Sequence, residues 1–273
     1  MIPTLSQVCS LNAEFGNDIE EYAAGQCRSV ELWLTKVEDY LKSHSIDDVK
    51  QLLVEHGVAC PVASFQGGLL TSQGEKRLAA WELFEQRLEL CVALGVETLI
   101  VVGDVYGTLV QEDIERVRQS LVLLAQSAGR RRIRIAFEFQ GKASFGNNLQ
   151  TAVALVNEVG SPHLGICLDL FQFHLGPSKE MDWELLTSEN LFHVQLADLA
   201  DVPREFATDS DRILPGDGDF SIQPLVDHLK GLGYGGCVAI ELMNPLIWQI
   251  PPRQFGEIAM TALRQQLGIA QME

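Results

Sequence analysis

Residues 192–198, FHVQLAD, read as a buried β-strand that runs into an aspartate. Side chains alternate across a strand. His193, Gln195 and Ala197 therefore share one face, and Val194 and Leu196 the other. Three other runs repeat this division: IRIAFEF (133–139), LGICLDL (164–170) and CVAIEL (237–242). Ile135, Phe137, Leu164, Ile166, Leu168, Val238 and Ile240 make a large apolar face suited to packing under helices. Ala136, Gly165, Cys167, Cys237 and Ala239 make a face of small groups suited to a barrel interior. Near the strand ends on that small face come Glu138, Asp169, Gln195 and Glu241. The pattern predicts four consecutive strands that deliver four oxygen-bearing side chains to the C-terminal mouth of one barrel, where barrel enzymes place their chemistry.

Working outward, four earlier runs read as strands: PTLSQVCS (3–10), SVELWL (29–34), VACPVAS (58–64) and TLIVVGD (98–104). Amphipathic stretches lie between strands, among them IDDVKQLLVEHG (46–57), EKRLAAWELFEQRLELCVALG (75–95) and EDIERVRQSLVLLAQSAG (112–129). Eight strand–helix units predict an α/β fold, a (β/α)8 TIM barrel, as a single domain over 1–273. An open doubly wound sheet is the alternative, but the first strand is not followed by a G-x-G-x-x-G turn.

Lys and Arg number 20 against 37 Asp and Glu, a net charge of −17, which repels nucleic acid and an anionic membrane. No apolar run is long enough to span a bilayer, and the N-terminus lacks the basic start and apolar core of a signal peptide. The six cysteines are scattered without a C-x-x-C pair, as expected of reduced thiols in a cytoplasmic protein.

Three carboxylates and an amide oxygen converging on one volume demand a counter-charge, because like charges that close oppose each other's ionisation. A divalent ion supplies it. All-oxygen donors suit Mn²⁺ or Mg²⁺, with Co²⁺ and Zn²⁺ as alternatives. An amide in place of a fourth carboxylate keeps such an ion a stronger Lewis acid.

The motifs IAFEFQG, GICLDLFQFHLG, HVQLADL, LPGDGDF and VAIELMNP, in this order and spacing, resemble the xylose isomerase-like barrel superfamily. That superfamily includes sugar isomerases and epimerases, hydroxypyruvate isomerase, inosose dehydratase and endonuclease IV. The resemblance covers most of the chain and is sharpest from residue 133 onward. It implies Glu138, Asp169, Gln195 and Glu241 as ligands of one divalent metal ion. Glutamine in the third place, in an H-x-Q-x-A-D context before a PG-x-G loop, is similar to hydroxypyruvate isomerase. The implied activity is a metal-dependent isomerase or epimerase of a small sugar or hydroxy-ketone, with Glu138 and Glu241 moving the proton through a metal-stabilised enediolate. A dehydratase of an inosose- or dehydroshikimate-like substrate shares the first step and is the alternative. The endonuclease chemistry is opposed by the charge and by the histidines, most of which fall in outer helices or loops. An intact ligand set argues against a non-catalytic binder.

Two features depart from the superfamily pattern. Many relatives place a substrate-binding histidine three residues after the Asp; here Gln172 stands there and His174 is the nearest histidine. The LPGDGDF loop lacks the glutamate that usually follows the second glycine in hydroxypyruvate isomerase. Besides Gln172 and His174, the candidate substrate contacts are Arg212, Lys36, Gln66 and Asn244. His193 reads as a deeper residue of the core. Asp198 is expected to hold the loop after it, and the glycines of residues 65–77 suit a movable lid. An acidic mouth without a glycine-rich, lysine-bearing cradle favours an unphosphorylated substrate. Barrels of this kind often pair through their loops, so a homo-oligomer is in keeping with the resemblance.

Overall fold

The computed structural model describes residues 1–269. Among them, eight parallel strands close a barrel in chain order. They are β1 (Ile2–Ser6), β2 (Ser29–Trp33), β3 (Ala59–Gln66), β4 (Thr98–Val102), β5 (Arg134–Glu138), β6 (Leu164–Asp169), β7 (Leu191–Leu196) and β8 (Cys237–Ile240). All eight predicted strands are present. The first is shorter than expected, because Gln7–Ser10 turns into a 3₁₀ helix. The α-helices are α1 (Phe15–Ala24), α2 (Leu34–Tyr40), α3 (Ile46–His56), α4 (Gly74–Leu94), α5 (Gln111–Arg130), α6 (Leu149–Val159), α7 (Leu170–Leu175), α8 (Ile222–Gly231) and α9 (Pro252–Leu267).

The described chain divides into two compact units, residues 1–62 with 194–269, and residues 63–193. In the first, β1 pairs with β2 and β8, and β8 pairs with the end of β7. Ser6 registers with Glu31, and Gln195 with Ala239, so neighbours on these strands share a face. Helix α3 starts at a capping box: Ser45 Oγ accepts from the Asp48 amide, and Asp48 Oδ2 accepts from the Ser45 amide. Arg264 of α9 donates to the Gln26 carbonyl at 2.7 Å and ties that helix to the chain leaving α1.

In the second unit, β4, β5 and β6 pair in register, Ile100 with Ala136, Ala136 with Gly165 and Glu138 with Cys167. The face of small groups has one local cause that periodicity does not reveal. A Cβ on Gly165 would lie 2.7 Å from the Asn190 carbonyl oxygen and from the Phe192 ring, so this position answers to its neighbours. Arg87 of α4 donates to the Phe65 carbonyl at 2.8 Å, fastening the end of β3 to the helix that follows. Among the described residues, no helix is long and apolar enough to cross a membrane.

Candidate active site

In the second unit, Glu138 ends β5 and Asp169 ends β6, both buried. Gln140 Nε2 donates to Glu138 Oε1 at 2.7 Å. Asp169 also caps α7, its Oδ1 accepting from the Phe171 amide at 2.8 Å, which fixes the carboxylate at the helix start. Gln172 is buried, and its Oε1 accepts from the Gly141 amide at 3.0 Å, so it shapes the turn after β5. His174 is exposed at the end of α7. Gln66 is buried too: its Nε2 donates to the Gly67 carbonyl and its Oε1 accepts from Arg87. His193 is wholly buried in β7, in keeping with a core position.

The loop predicted as a lid is anchored at several points. Leu69 and Leu70 are wholly buried, Arg77 Nη1 donates to the Leu69 carbonyl, and Ser120 donates to that of Leu70. The Gly68 amide donates to Asp104 Oδ2 at 2.6 Å; burial raises the Asp104 pKa against the pull of that amide.

In the first unit, Gln195 and Glu241 stand together. Gln195 Nε2 donates to Glu241 Oε1 at 2.9 Å. Glu241 Oε2 lies 3.2 Å from Arg212 Nη1. The guanidinium is buried, and its Nε and Nη2 grip Asp209 Oδ1 at 3.0 and 2.9 Å. Arg212 thus holds a glutamate in place. Asn244 is buried as well; its Nδ2 donates to the Arg212 carbonyl and its Oδ1 accepts from the Leu246 amide. Sequence reasoning missed Glu31, which is wholly buried and lies 3.3 Å from Gln195 Nε2 through both carboxylate oxygens. The available signal was an acid flanked by the apolar Val30 and Leu32 in mid-strand.

Lys36 is engaged elsewhere in the first unit. Its Nζ lies 2.5 Å from Asp18 Oδ2 and donates to the Ser10 carbonyl at 2.6 Å, with the side chain nearly buried. Ser10 Oγ in turn donates to Asp18 Oδ1 at 2.7 Å. Burial is the main cause that lifts the Asp18 pKa to about 6, against the pull of Lys36, and burial lowers that of Lys36. This network ties the segment after β1 to α1 and α2.

Asp198 holds the loop that follows it. Its Oδ1 accepts from the Leu199 and Phe220 amides and its Oδ2 from the Gly216 amide, all at 2.9 Å. A Cβ on Gly218 would come 2.4 Å from Asp198 Oδ1, so glycine is needed for that approach.

Among the described residues, no group of three or more His, Cys, Asp or Glu side chains stands ready to hold a metal ion. The donor chemistry of the predicted ligands nonetheless fits a hard divalent ion. Glu138, Asp169 and Glu241 offer carboxylate oxygens and Gln195 an amide oxygen, while the Gln195 NH₂ is directed at carboxylates.

The family model for the xylose isomerase-like TIM barrel matches residues 20–264, and the chain belongs to that family. It is 28% identical over 226 residues to the inosose isomerase of Halalkalibacterium halodurans, covering 80% of this chain and 78% of that protein. It is 25% identical over 254 residues to the 3-dehydroshikimate dehydratase of Pseudomonas putida, covering 90% of this chain but 38% of that longer protein. Among solved structures, the IolI protein with a bound zinc atom superposes with a TM-score of 0.91 at 24% identity, covering all of both chains.

Proposed function

We propose that this protein is a divalent-metal-dependent isomerase of a small polyhydroxy ketone, and that its substrate class is inosose-like. Glu138, Asp169, Gln195 and Glu241 hold the ion in this reading, with Mn²⁺ or Mg²⁺ as the ion and Co²⁺ or Zn²⁺ as alternatives. The observation that carries the reading is the buried Gln195–Glu241 hydrogen bond, a neutral donor and a carboxylate set side by side near the ends of β7 and β8. Relatives named inosose isomerase, matched over most of their length, support the substrate class. The bound ion would polarise the substrate carbonyl and its neighbouring hydroxyl, acidifying the adjacent C–H bond.

The protein's own groups do the rest. One of Glu138 and Glu241 takes the proton from the hydroxyl-bearing carbon, the same or the other glutamate returns it to the former carbonyl carbon, and the hydroxyl proton passes to the former carbonyl oxygen. Arg212 holds Glu241 through its 3.2 Å contact. Gln172 supplies a hydrogen-bonding amide that neither gains nor loses a proton near neutral pH. The medium is the cytoplasm. A dehydratase is the second reading, favoured by the likeness to 3-dehydroshikimate dehydratases.

The test is proton exchange. The Mn²⁺-loaded protein is incubated in D₂O with inososes, ketoses, hydroxypyruvate and 3-dehydroshikimate. Deuterium beside the carbonyl together with a new inosose isomer is the expected result. Exchange with loss of water would move the assignment to a dehydratase. No exchange on any compound would overturn the proposed substrate class.

A further inference from the structure

Glu31 lies in the middle of β2, flanked by the buried Val30 and Leu32, and its own side chain is wholly buried. Ser6, its register partner on β1, donates through Oγ to Glu31 Oε1 at 2.8 Å. From β7, Gln195 brings Nε2 to 3.3 Å from each Glu31 oxygen and to 2.9 Å from Glu241 Oε1.

A carboxamide NH₂ has two hydrogens in one plane, and its oxygen has none. Here one hydrogen serves the Glu31 carboxylate, shared by both oxygens, and the other serves Glu241. Turned over, the amide would set its oxygen against two carboxylates, acceptor facing acceptor, inside a buried site. The assignment of nitrogen and oxygen therefore follows from the bonding network. The bond to Glu241 engages one of the two hydrogens. Glu31 supplies the second restraint and closes off the turned-over form.

We propose that Glu31 is a positioning residue, which with Glu241 holds both amide hydrogens of Gln195 so that the amide presents its oxygen, and not its nitrogen, as the metal donor. This rests on the metal-site reading above. Groups that orient a ligand in this way commonly change metal affinity by about 10- to 100-fold when removed.

The experiment compares Mn²⁺ dissociation constants, read from the electron paramagnetic resonance signal of the free ion, on metal-depleted full-length protein. Glu31→Met removes the acceptor at similar size and is expected to weaken Mn²⁺ binding about 10- to 100-fold. Glu31→Gln keeps one acceptor oxygen and is expected to fall between Glu31→Met and the parent. Both changes are then repeated in a Gln195→Glu background, where both ends of the side chain at 195 are oxygen and no orientation needs fixing. There the changes at 31 are expected to cost clearly less than in the parent, because only the loss of one negative charge near the ion is left. A packing role would lower affinity alike in both backgrounds, so the coupling is the signature. If Glu31→Met fails to fold, the Glu31→Gln pair alone decides. Parental affinity in the Glu31 variants, or an equal loss in both backgrounds, would overturn the positioning role while leaving the metal site in place. If the parent itself takes up no Mn²⁺, Zn²⁺ or Mg²⁺ by calorimetry, the metal reading fails first and the positioning role falls with it.

Discussion

Arg212 and Glu241 form an ion pair with Nη1 and Oε2 3.2 Å apart and side chains 1% and 8% exposed. A guanidinium so buried in a loop is held by what it grips, here Glu241 on one side and Asp209 on the other. Removing one member of a buried pair strands the other charge. Arg212→Met is expected to cost about 3–5 kcal/mol in urea unfolding. Arg212→Lys keeps the charge but not the fork that reaches both acids, and is expected to lose less. A parental urea midpoint for Arg212→Met would mean that the pair contributes nothing to the fold.

Glu138→Gln and Glu241→Gln test the proton-transfer roles. General acid–base groups commonly contribute about 10²- to 10⁴-fold, so each change is expected to lower turnover by at least about 100-fold. Circular dichroism should stay that of the parent, because an amide nearly matches a carboxylate in shape. For Glu138, the oxygen that accepts from Gln140 Nε2 is kept. Full activity in either variant would remove that glutamate from the mechanism.

The strands were legible because each is a short apolar run set off by an amphipathic helix, and periodicity alone places Glu138, Asp169, Gln195 and Glu241 at strand ends. The partners of the charged groups were not legible. Lys36 meets Asp18 across 18 positions of sequence, and Arg212 meets Glu241 across 29, distances at which no local pattern operates. Glu31 escaped notice because it sits mid-strand, one turn of the alternation away from the mouth where acids were sought. The loop at residues 65–77 reads as mobile from its glycines, yet Leu69 and Leu70 bury themselves and anchor it.

The cysteines should be inert in the native protein. All six are buried and none forms a disulfide. Burial pushes the thiols of Cys27 and Cys91 up to about 12 and raises that of Cys9 well above the ordinary range. Near pH 8 a thiol of that kind is ionised to only about one part in ten thousand, and the thiolate is the reactive form. Ellman's reagent is expected to titrate none of the six in buffer and all of them in guanidinium chloride. Rapid labelling of the native protein would contradict the buried placement.

Asp198 offers a finer test, because its two oxygens serve different amides. In Asp198→Asn, Oδ1 is retained for the Leu199 and Phe220 amides, while an NH₂ group replaces the acceptor that faces the Gly216 amide. Hydrogen exchange at Gly216 should then accelerate while Phe220 stays protected. Asp198→Ala removes both acceptor oxygens and with them all three hydrogen bonds, should release the Gly216 and Phe220 amides, and should cost about 1–3 kcal/mol. Equal protection in all three proteins would show that the loop is held by something other than this carboxylate.

Asp18 makes a pH-dependent contribution whose sign is opposite to that of most paired carboxylates. Its pKa is raised from 3.8 to about 6, because desolvation outweighs the pull of Lys36 and Ser10. The folded protein therefore binds the Asp18 proton more tightly than the unfolded chain does between those values. Stability from this group is fully present below about pH 4 and is lost as pH rises through about 6. A shift of roughly two units corresponds to about 3 kcal/mol. Asp18→Asn removes the titration. Urea unfolding at intervals from about pH 4 to about pH 7 should show the parent losing stability relative to Asp18→Asn by up to that amount. The difference between the two curves, rather than either alone, isolates Asp18 from the surface acids that titrate in the same range. Parallel curves would mean that Asp18 ionises alike in the folded and unfolded chains, so that its pairing with Lys36 and Ser10 fully offsets its burial.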